Sequence, residues 1–574
     1  MAEKVKQTAD TSGLDTFGKG DFGGPLTCES VWKLYERALA YNASIDLNET
    51  VRVNENFFIG KQWEGVVSNG LPTPVFNVLK RVCCFTVATI SSDNIKIQAT
   101  PLSATPNTQG LLEPARIINE ELEALTERNR VPSLMREYAR NAAVDGDGCT
   151  YTWWDPDMET GQDAKGGIRT EIIENTRVHF GNPNDRHVES QPYIILERRD
   201  MVGAARRQAK DNGVKSWDAI TADCDNAQQD SAKQTSDKVT TILLLWRDRK
   251  TREIWAFQTA RTGVIKEPWN LGIRRYPITW LNWDYIQDCY HGQAMITGLI
   301  PNQIFVNKLF AMSMISLMTL AYPKVMYDKT RIAGWSSKVG AAIGVSGNVD
   351  GAAKIVDPAQ ISPQISQFIE LAISYTQKFL GATDVALGDT RPDNTSAIIA
   401  LQRAAATPME LTKQNLLQSV EQMGEIYMEF MAEYYGIRQV EVEDSRTGEK
   451  LYMEFDFGVL RDVPCSIDLD AGASSYWSEI ANMQTLDNLL MQGKIPTSEY
   501  LRRLPNGQIT DREQLIAITQ AAERGTVAFG GGADTRQQAA AVTDEAALPV
   551  RGGAGYGALQ RKINESGEVP RMEA

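Results

Sequence analysis

The pattern of apolar positions in the middle of the chain predicts two long helices separated by an insert. In the first, over residues 301–322, apolar residues recur at helical spacing and Lys308 is the only charged side chain. The second helix has Ser362 as its N-cap, followed by a proline at the first helical position, and ends just before Gly381. Its apolar residues form one stripe, so this helix is expected to bury one face.

A third apolar pattern follows a loop that is rich in Gly, Asp and Thr. It covers residues 396–435, is heptad-like, and predicts a long helix with a bend at Pro408. With a rise of about 1.5 Å per residue, the first helix should be about 30 Å long and the third about 60 Å. Helices of this length need more packing partners than a short hairpin supplies. A large helical core or an assembly of several copies would supply them.

The regions on either side of these helices mix helical and strand patterns. Before the first long helix, helices are predicted over 29–48, 75–91, 112–128 and 132–144. Strands are predicted over 95–99, 149–154, 168–174, 176–180, 192–198, 240–247, 253–259 and through 283–285. After the third long helix, strands are expected over 440–470, with a hairpin turn at 445–448, and helices over 475–520. The sequence therefore predicts an α+β fold.

Length and composition indicate a folded protein with more than one structural lobe. A chain of 574 residues exceeds what one core usually supports, and 42% hydrophobic with 23% charged residues is ordinary for a folded soluble protein. The seven cysteines form no CxxC pair, which argues against a zinc site and a disulfide framework. No signal peptide is expected at the N-terminus, and the longest apolar run, 309–322, is expected to be too short to span a bilayer.

The charge distribution argues against an ordinary nucleic-acid-binding protein. The formal net charge is −14, whereas proteins that hold nucleic acid present clustered Lys and Arg to the phosphates. The insert between the first two long helices differs from the rest, because its basic residues outnumber its acidic ones. An acidic body remains compatible with a channel in which DNA slides, since like-charge repulsion reduces sticking to the wall.

A search for catalytic and metal-binding motifs gives no candidate. The sequence contains no GxxxxGK[ST], GxSxG or HExxH motif. The DGDG run at 145–148 lacks the later ligands of a calcium loop and predicts a tight turn before a strand. His179 and His187 are expected to be ordinary surface or turn histidines, and the spacing of Cys289 and His291 is too weak a signal for a metal site. We therefore expect no enzymatic activity, no cofactor and no bound metal.

Several short segments resemble the portal protein of tailed bacteriophages, as does the order helix, insert, helix, loop, long helix. The segments are FFIGKQW at 57–63, VHFGNP at 178–183 with YIILE at 193–197, DCYHG at 288–292 with LIPNQ at 299–303, and GKIP at 493–496. The resemblance extends over roughly residues 30–520. It implies an α+β wing, a two-helix stem with an inserted clip, a long kinked wing helix and a helical, crown-like C-terminal region.

The resemblance also implies where these parts begin and end. They are a disordered N-terminus at 1–25, the wing at 26–291, stem helix 1 at 292–322, the clip at 323–361, stem helix 2 at 362–380, a tunnel loop at 381–395, the long helix and remainder of the wing at 396–474, crown-like helices at 475–525 and a flexible tail at 526–574. Clip and tunnel-loop sequences vary widely in this family. The resemblance therefore places these parts without assigning a role to any single side chain.

The function implied by the resemblance is that of a ring, a homododecamer, at one vertex of a phage capsid. Double-stranded genome DNA would enter through the ring, driven by a separate terminase, and leave through it at ejection. Further implied partners are the major capsid and scaffolding proteins and the head–tail connector or adaptor proteins, with no membrane. The implied location is the virion, with the host cytoplasm during assembly. A non-viral homo-oligomeric scaffold or adaptor built on the same helices is the alternative, and a peripheral enzyme ranks third.

Two sets of charged residues are candidate contacts in this scheme. The tunnel loop would present a ring of mainly negative charge that keeps DNA centred, from Asp384, Asp389, Arg391 and Asp393. The alternative for this loop is a solvated connection between two helices. The clip would contact DNA, terminase or connector through its basic residues, which are Lys324, Lys329, Arg331, Lys338 and Lys354.

Overall fold

The computed structural model describes residues 26–68, 70–91, 95–101, 109–161, 164–223, 237–321, 325–336, 338, 342–355, 363–379, 409–443, 450–461, 465–471, 476–504, 515–516 and 518–519. The chain forms two compact units, residues 1–475 and 476–574, and each is described by itself. Helices and strands both build the first unit, so the expected α+β class is confirmed.

The first unit begins with helices. Its first elements are α1 (Cys28–Ser44), α2 (Leu47–Ile59), α3 (Val78–Ile90), β1 (Ile95–Pro101), α4 (Gln109–Arg128) and α5 (Val131–Asp145). The prediction of one helix over 29–48 is wrong at its end. Asp46 adopts a left-handed backbone conformation with φ of 51°, which ends α1 and allows α2 to start in a new direction.

Antiparallel sheets follow. Their elements are β2 (Asp147–Asp155), β3 (Gly167–Ile172), β4 (Val178–Phe180), β5 (Tyr193–Met201), α6 (Val202–Asp211), β6 (Lys238–Arg247), β7 (Ile254–Ala260), β8 (Val264–Asn270) and β9 (Ile278–Asn282). One sheet has the order β3-β2-β9, and the other runs from β4 to β8 in chain order. The sequence patterns predict neither α6 nor β8.

The strand predicted through 283–285 is wrong, and the pairing explains why. Asn282 is the last residue of β9 and pairs with Asp147, the first residue of β2. Gly146, with φ of 103°, turns the chain just before that point, so the ladder ends with one backbone hydrogen bond from Trp283 N to the carbonyl of Gly146 at 3.0 Å. Asp284 makes only an isolated bridge to Gln293.

The five-stranded sheet is buried on both faces, which explains the nearly continuous apolar runs of its central strands. Alternate residues of β5 divide between two cores: Ile194 and Leu196 face the main core, whereas Tyr193 and Ile195 face α1. The main core also contains the apolar faces of α4 and α5. A smaller cluster forms where Ala205 and Ala209 of α6 pack on the sheet.

The middle of the chain contains the long helices. Its elements are α7 (Ile300–Ala321), the paired strands β10 (Val325–Tyr327) and β11 (Ala353–Ile355), α8 (Pro363–Phe379) and α9 (Glu410–Phe430) with a π-helical turn at Met431–Tyr435. The first two helix predictions agree with α7 and α8 within two residues at each end. The third prediction agrees with α9 and its π-turn from residue 410 onward, whereas its predicted start at 396 and the expected bend at Pro408 lie outside the described residues.

Three strands close the first unit, and two helices are described in the second. The strands are β12 (Ile437–Glu443), β13 (Lys450–Asp456) and β14 (Cys465–Ala471), where β12 pairs with β13 and β14 pairs with β1. The second unit contains α10 (Tyr476–Met491) and α11 (Thr497–Arg503), as the helical prediction for that region requires. The expected N-terminal and C-terminal tails, 1–25 and 526–574, lie outside the described residues.

Candidate assembly surface and its attachment to the body

Helix α7 leaves large apolar side chains uncovered in the single chain. Although Val306 and Ala311 are buried, the outer part of the helix is open to solvent. Its exposed large apolar side chains are Phe305, Met312, Met314, Leu317, Met318 and Leu320. Helix α8 packs beside α7 and exposes Phe368, Leu371 and Tyr375. An exposed apolar surface of this extent is typical of a site that another molecule covers.

The N-terminal turns of α7, which we call its root, are attached to the rest of the unit by buried side-chain amides. Asn307 Nδ2 donates to Gln62 Oε1 at 2.6 Å, and Gln303 Nε2 donates to Asn307 Oδ1 at 3.0 Å. Gln303 Oε1 accepts from the backbone N–H groups of Val78 and Leu79, at 3.1 and 3.3 Å. Gln62, Gln303 and Asn307 are each at most 7% exposed. Because every one of these amides is buried and bonded, the start of α7 is held in one orientation.

A second attachment, which we call the Asp147 site, holds the segment that leads into α7. Asp147 Oδ1 accepts from Gly292 N at 2.6 Å and from Asn282 Nδ2 at 2.7 Å, while Asp147 Oδ2 lies 2.7 Å from His291 Nδ1. Asp147 is 1% exposed and His291 2%. A Cβ atom at Gly146 would lie 2.6 Å from the carbonyl oxygen of Gly292, so the two backbones touch here. The DGDG run is the predicted turn, but the role of its second carboxylate was missed.

His179 is buried, so the prediction of a surface or turn histidine is wrong for this residue. It lies on the face of β4 that α1 covers, where its Nδ1 is 3.4 Å from Asn42 Nδ2 and its Nε2 is 3.8 Å from Glu197 Oε2. Burial lowers the pKa of His179, although the nearby carboxylate acts in the opposite direction. His187 is exposed, as predicted.

The segment between α7 and α8 carries the predicted clip residues. Lys329, Arg331, Lys338 and Lys354 are all exposed, and Arg331 Nε lies 3.4 Å from Asp328 Oδ2. The aromatic rings of Tyr327 and Trp335 stack nearby, with centroids 5.9 Å apart. Lys324 lies outside the described residues. The structure therefore places these four cations on the surface of this segment.

The predicted tunnel-loop residues cannot be placed in the same way. Asp384, Asp389, Arg391 and Asp393 all lie outside the described residues, which stop at 379 and resume at 409. Their role stays a prediction. Among the described residues, no group of three or more His, Cys, Asp or Glu side chains is arranged to hold a metal ion.

The helical segment Thr297–Leu320 is long and apolar enough to cross a bilayer, judged by length and composition alone. The expectation drawn from the apolar run at 309–322 is therefore wrong, because the helical segment begins well before that run. Only 22% of its most apolar window is buried within the chain. A helix that packs against other copies meets the same criterion.

A long, nearly uncharged helix that exposes large apolar side chains and starts from an α+β body is typical of a subunit that assembles with other copies. Residues 194–476 match the family model of the Phage P22-like portal protein. This match covers a little under half of the chain, and over these residues it confirms the resemblance inferred from the sequence. No curated protein matches the chain.

The family match supports several general statements about phage portal proteins. A phage portal protein self-assembles and is located at a capsid vertex of the virion. The family is structural and not catalytic, which fits the expectation that the chain is not an enzyme. The matched range contains the five-stranded sheet from β5 onward, the Asp147 partners on β9 and its following turn, and all of α7, α8 and α9.

Proposed function

We propose that the chain forms a ring, a homododecamer by resemblance, that serves as the channel for genome DNA during packaging and ejection. The observation that carries this proposal is the exposed apolar surface of α7 and α8 inside the region that matches the portal family. Copies arranged side by side around a central axis would cover this surface. The family match also favours a portal over a non-viral scaffold or adaptor.

The purified full-length protein tests the ring directly. Sedimentation should show a large homo-oligomer at micromolar concentration, and negative-stain images should show particles with a central hole. A stable monomer of 63.6 kDa under these conditions would contradict the proposal. Particles without a central hole would favour a scaffold or adaptor instead.

The insert between α7 and α8 is proposed to be the clip, which contacts terminase, connector proteins or DNA. Its exposed cations Lys329, Lys338 and Lys354 lie on the same segment as a stacked pair of aromatic rings, a combination that suits an acidic protein surface or a phosphate backbone. Reversing these three charges should weaken capture of the terminase by assembled rings and leave the rings intact. Unchanged capture would remove the clip cations from the proposal.

The tunnel loop is proposed to face the DNA. With Asp384, Asp389 and Asp393 against Arg391, it carries net negative charge in every copy, and a ring of such loops would repel phosphate and keep DNA centred. DNA binding by the ring should then be weak and independent of sequence. Shortening the loop between Val385 and Asp393 should leave rings intact but sharply reduce DNA packaging into capsids. Normal packaging by such rings would show that the loop is only a connector.

Contacts with major capsid and scaffolding proteins, and a passage through the host cytoplasm during assembly, also follow from the proposed portal role. We expect no membrane in this role, because the exposed face of α7 would be covered by neighbouring copies. Mixing the assembled protein with lipid vesicles and pelleting the vesicles tests this expectation. The protein should remain in the supernatant. Recovery of assembled rings with the vesicles would contradict this expectation.

A further inference from the structure

A loop that precedes α3 exposes an unusual number of apolar side chains. It covers residues 63–76, described except for Asn69, and Glu64 is its only charged residue. Its exposed apolar residues include Val67 at 81% and Val66 and Leu71 at 55% each, and also Val75 and Phe76. Surface loops normally carry polar residues, so this 63–76 loop has the composition of a contact surface.

The loop has a defined shape. Trp63 Nε1 donates to the carbonyl of Pro74 at 2.9 Å, which closes the two ends of the loop, and Leu71 N donates to the carbonyl of Ser68 at 2.9 Å within it. Pro72 and Pro74 restrict its backbone further. The apolar side chains are therefore held outward by a preformed loop. Binding a partner would cost this loop little further conformational entropy.

The loop is also fixed to the root of α7. Gln303 Nε2 donates to the carbonyl of Phe76 at 2.7 Å, and the ring of Phe76 stacks on that of Phe310 with centroids 3.9 Å apart. The apolar surface of the loop thus continues into the exposed surface of α7. Any molecule that covers α7 near its root lies next to the loop.

We propose that the 63–76 loop docks on the α7 helix of a neighbouring copy. The inference rests on the proposed ring. In a closed ring, each copy meets its neighbour head to tail, so two different surfaces of the same chain must fit each other. The chain presents two such surfaces: the 63–76 loop, and the outer part of α7 around Met314, Leu317 and Met318. Both expose mainly apolar side chains, and the one charged residue of the loop, Glu64, is paired with Arg52 at 3.1 Å, so each surface can bury apolar groups of the other.

A serine substitution series measures the contribution of the loop. The triple variant Val66→Ser, Val67→Ser, Leu71→Ser removes exposed apolar groups only, so the fold should be retained. We expect the concentration at which rings dissociate to rise roughly tenfold or more, because apolar contacts between copies are lost. Met201→Ser, at a residue of the sheet that is 54% exposed, is the matched control and should leave ring stability unchanged.

Cross-linking between two populations identifies the neighbour. In a Cys84→Ser background, which removes an exposed thiol, chains with Val67→Cys are assembled together with chains carrying a cysteine at position 314, 317 or 318, and treated with a short bis-maleimide. We expect covalent dimers that join one chain of each kind, formed in rings and not in dissociated protein. Rings that give no such dimer at any of the three positions would overturn this inference alone. Failure of the wild-type protein to form rings would overturn the proposed function itself.

Discussion

The Asp147 site and helix α7 differ in whether their own chain covers their side chains. Asp147 is a buried carboxylate, and Gly292, Asn282 and His291 of the same chain supply its hydrogen-bond partners. Along α7, the exposed methionine and leucine side chains have no comparable cover within the described part of one chain. The Asp147 site is therefore complete within a single chain, whereas α7 presents a surface that other copies would complete.

The largest effect on assembly is expected for substitutions on α7, because its own chain leaves its apolar surface uncovered. Replacing Met314 and Leu317 together by Asp should abolish ring formation, because two charges per copy would have to be buried between apolar surfaces. Sedimentation should show a monomer whose thermal unfolding midpoint is nearly that of the dissociated wild type. Met201→Asp, also at an exposed position, should still form rings. Normal rings from the double variant would show that α7 is not an assembly surface.

The Asp147 site should respond in the opposite way, through folding and not assembly. Asp147→Ala leaves His291 and several buried donors without their acceptor, so the free energy of unfolding should fall by about 3–5 kcal/mol. Urea denaturation of the dissociated chain measures this change. Asp468→Ala, at an exposed position of β14, serves as the control with nearly no effect. A loss below about 1 kcal/mol for Asp147→Ala would mean that Asp147 does not hold the segment that leads into α7.

The amide network joins the two regions, and a double-mutant cycle can isolate it. Asn307→Leu should cost about 1–3 kcal/mol of unfolding free energy, because Gln62 and Gln303 lose a buried partner. Adding Gln62→Leu should recover part of that loss, since both partners of one bond are then apolar. Strictly additive losses would contradict the direct coupling of the two amides.

A further prediction concerns pH and the carboxyl of Asp145 at the end of α5. Burial, together with the negative charge of Glu55, raises the pKa of Asp145 to about 8 from its ordinary value of 3.8. Between about pH 4 and 8 the folded chain therefore binds more protons at this site than the unfolded chain, and its contribution to stability decreases as pH rises.

Asp145→Asn should flatten this part of the pH dependence. Comparing the free energy of unfolding at pH 5 and pH 8 in both proteins isolates the effect of this group from that of other titrating residues. The variant should lose less stability than the wild type over this interval. An equal loss in the two proteins would show that the carboxyl is ionised in the folded chain.

The sequence could predict what local signals determine. The apolar spacing of α7 and the Ser362-Pro363 start of α8 located both helices within two residues at each end. Turn signals likewise predicted a strand next to the DGDG run, and β2 begins at Asp147 within that run. The prediction failed where a backbone conformation interrupted the pattern, as at Asp46. An aspartate can adopt a left-handed conformation, and nothing in the neighbouring sequence indicates that it does so here.

The attachments of α7 could not be predicted, because they join residues far apart in the sequence. Asn307 is 245 residues from Gln62, and His291 is 144 residues from Asp147. A weak signal was present: Gln303 and Asn307 are amides four residues apart in a largely apolar helix, which places them on one face. His179 was misjudged for a related reason, since only the packing of α1 on the sheet buries it.

The scarcity of charge on α7 separates two effects of salt on this protein. Lys308 is its only ionisable side chain, so contacts between copies along the helix would have almost nothing for added ions to screen. The net charge of −14 per chain, in contrast, makes neighbouring copies repel one another through their bodies. Raising the ionic strength would weaken this repulsion without weakening the apolar contact. The proposed ring should therefore become more stable in high salt, whereas contacts made by the clip lysines should become weaker.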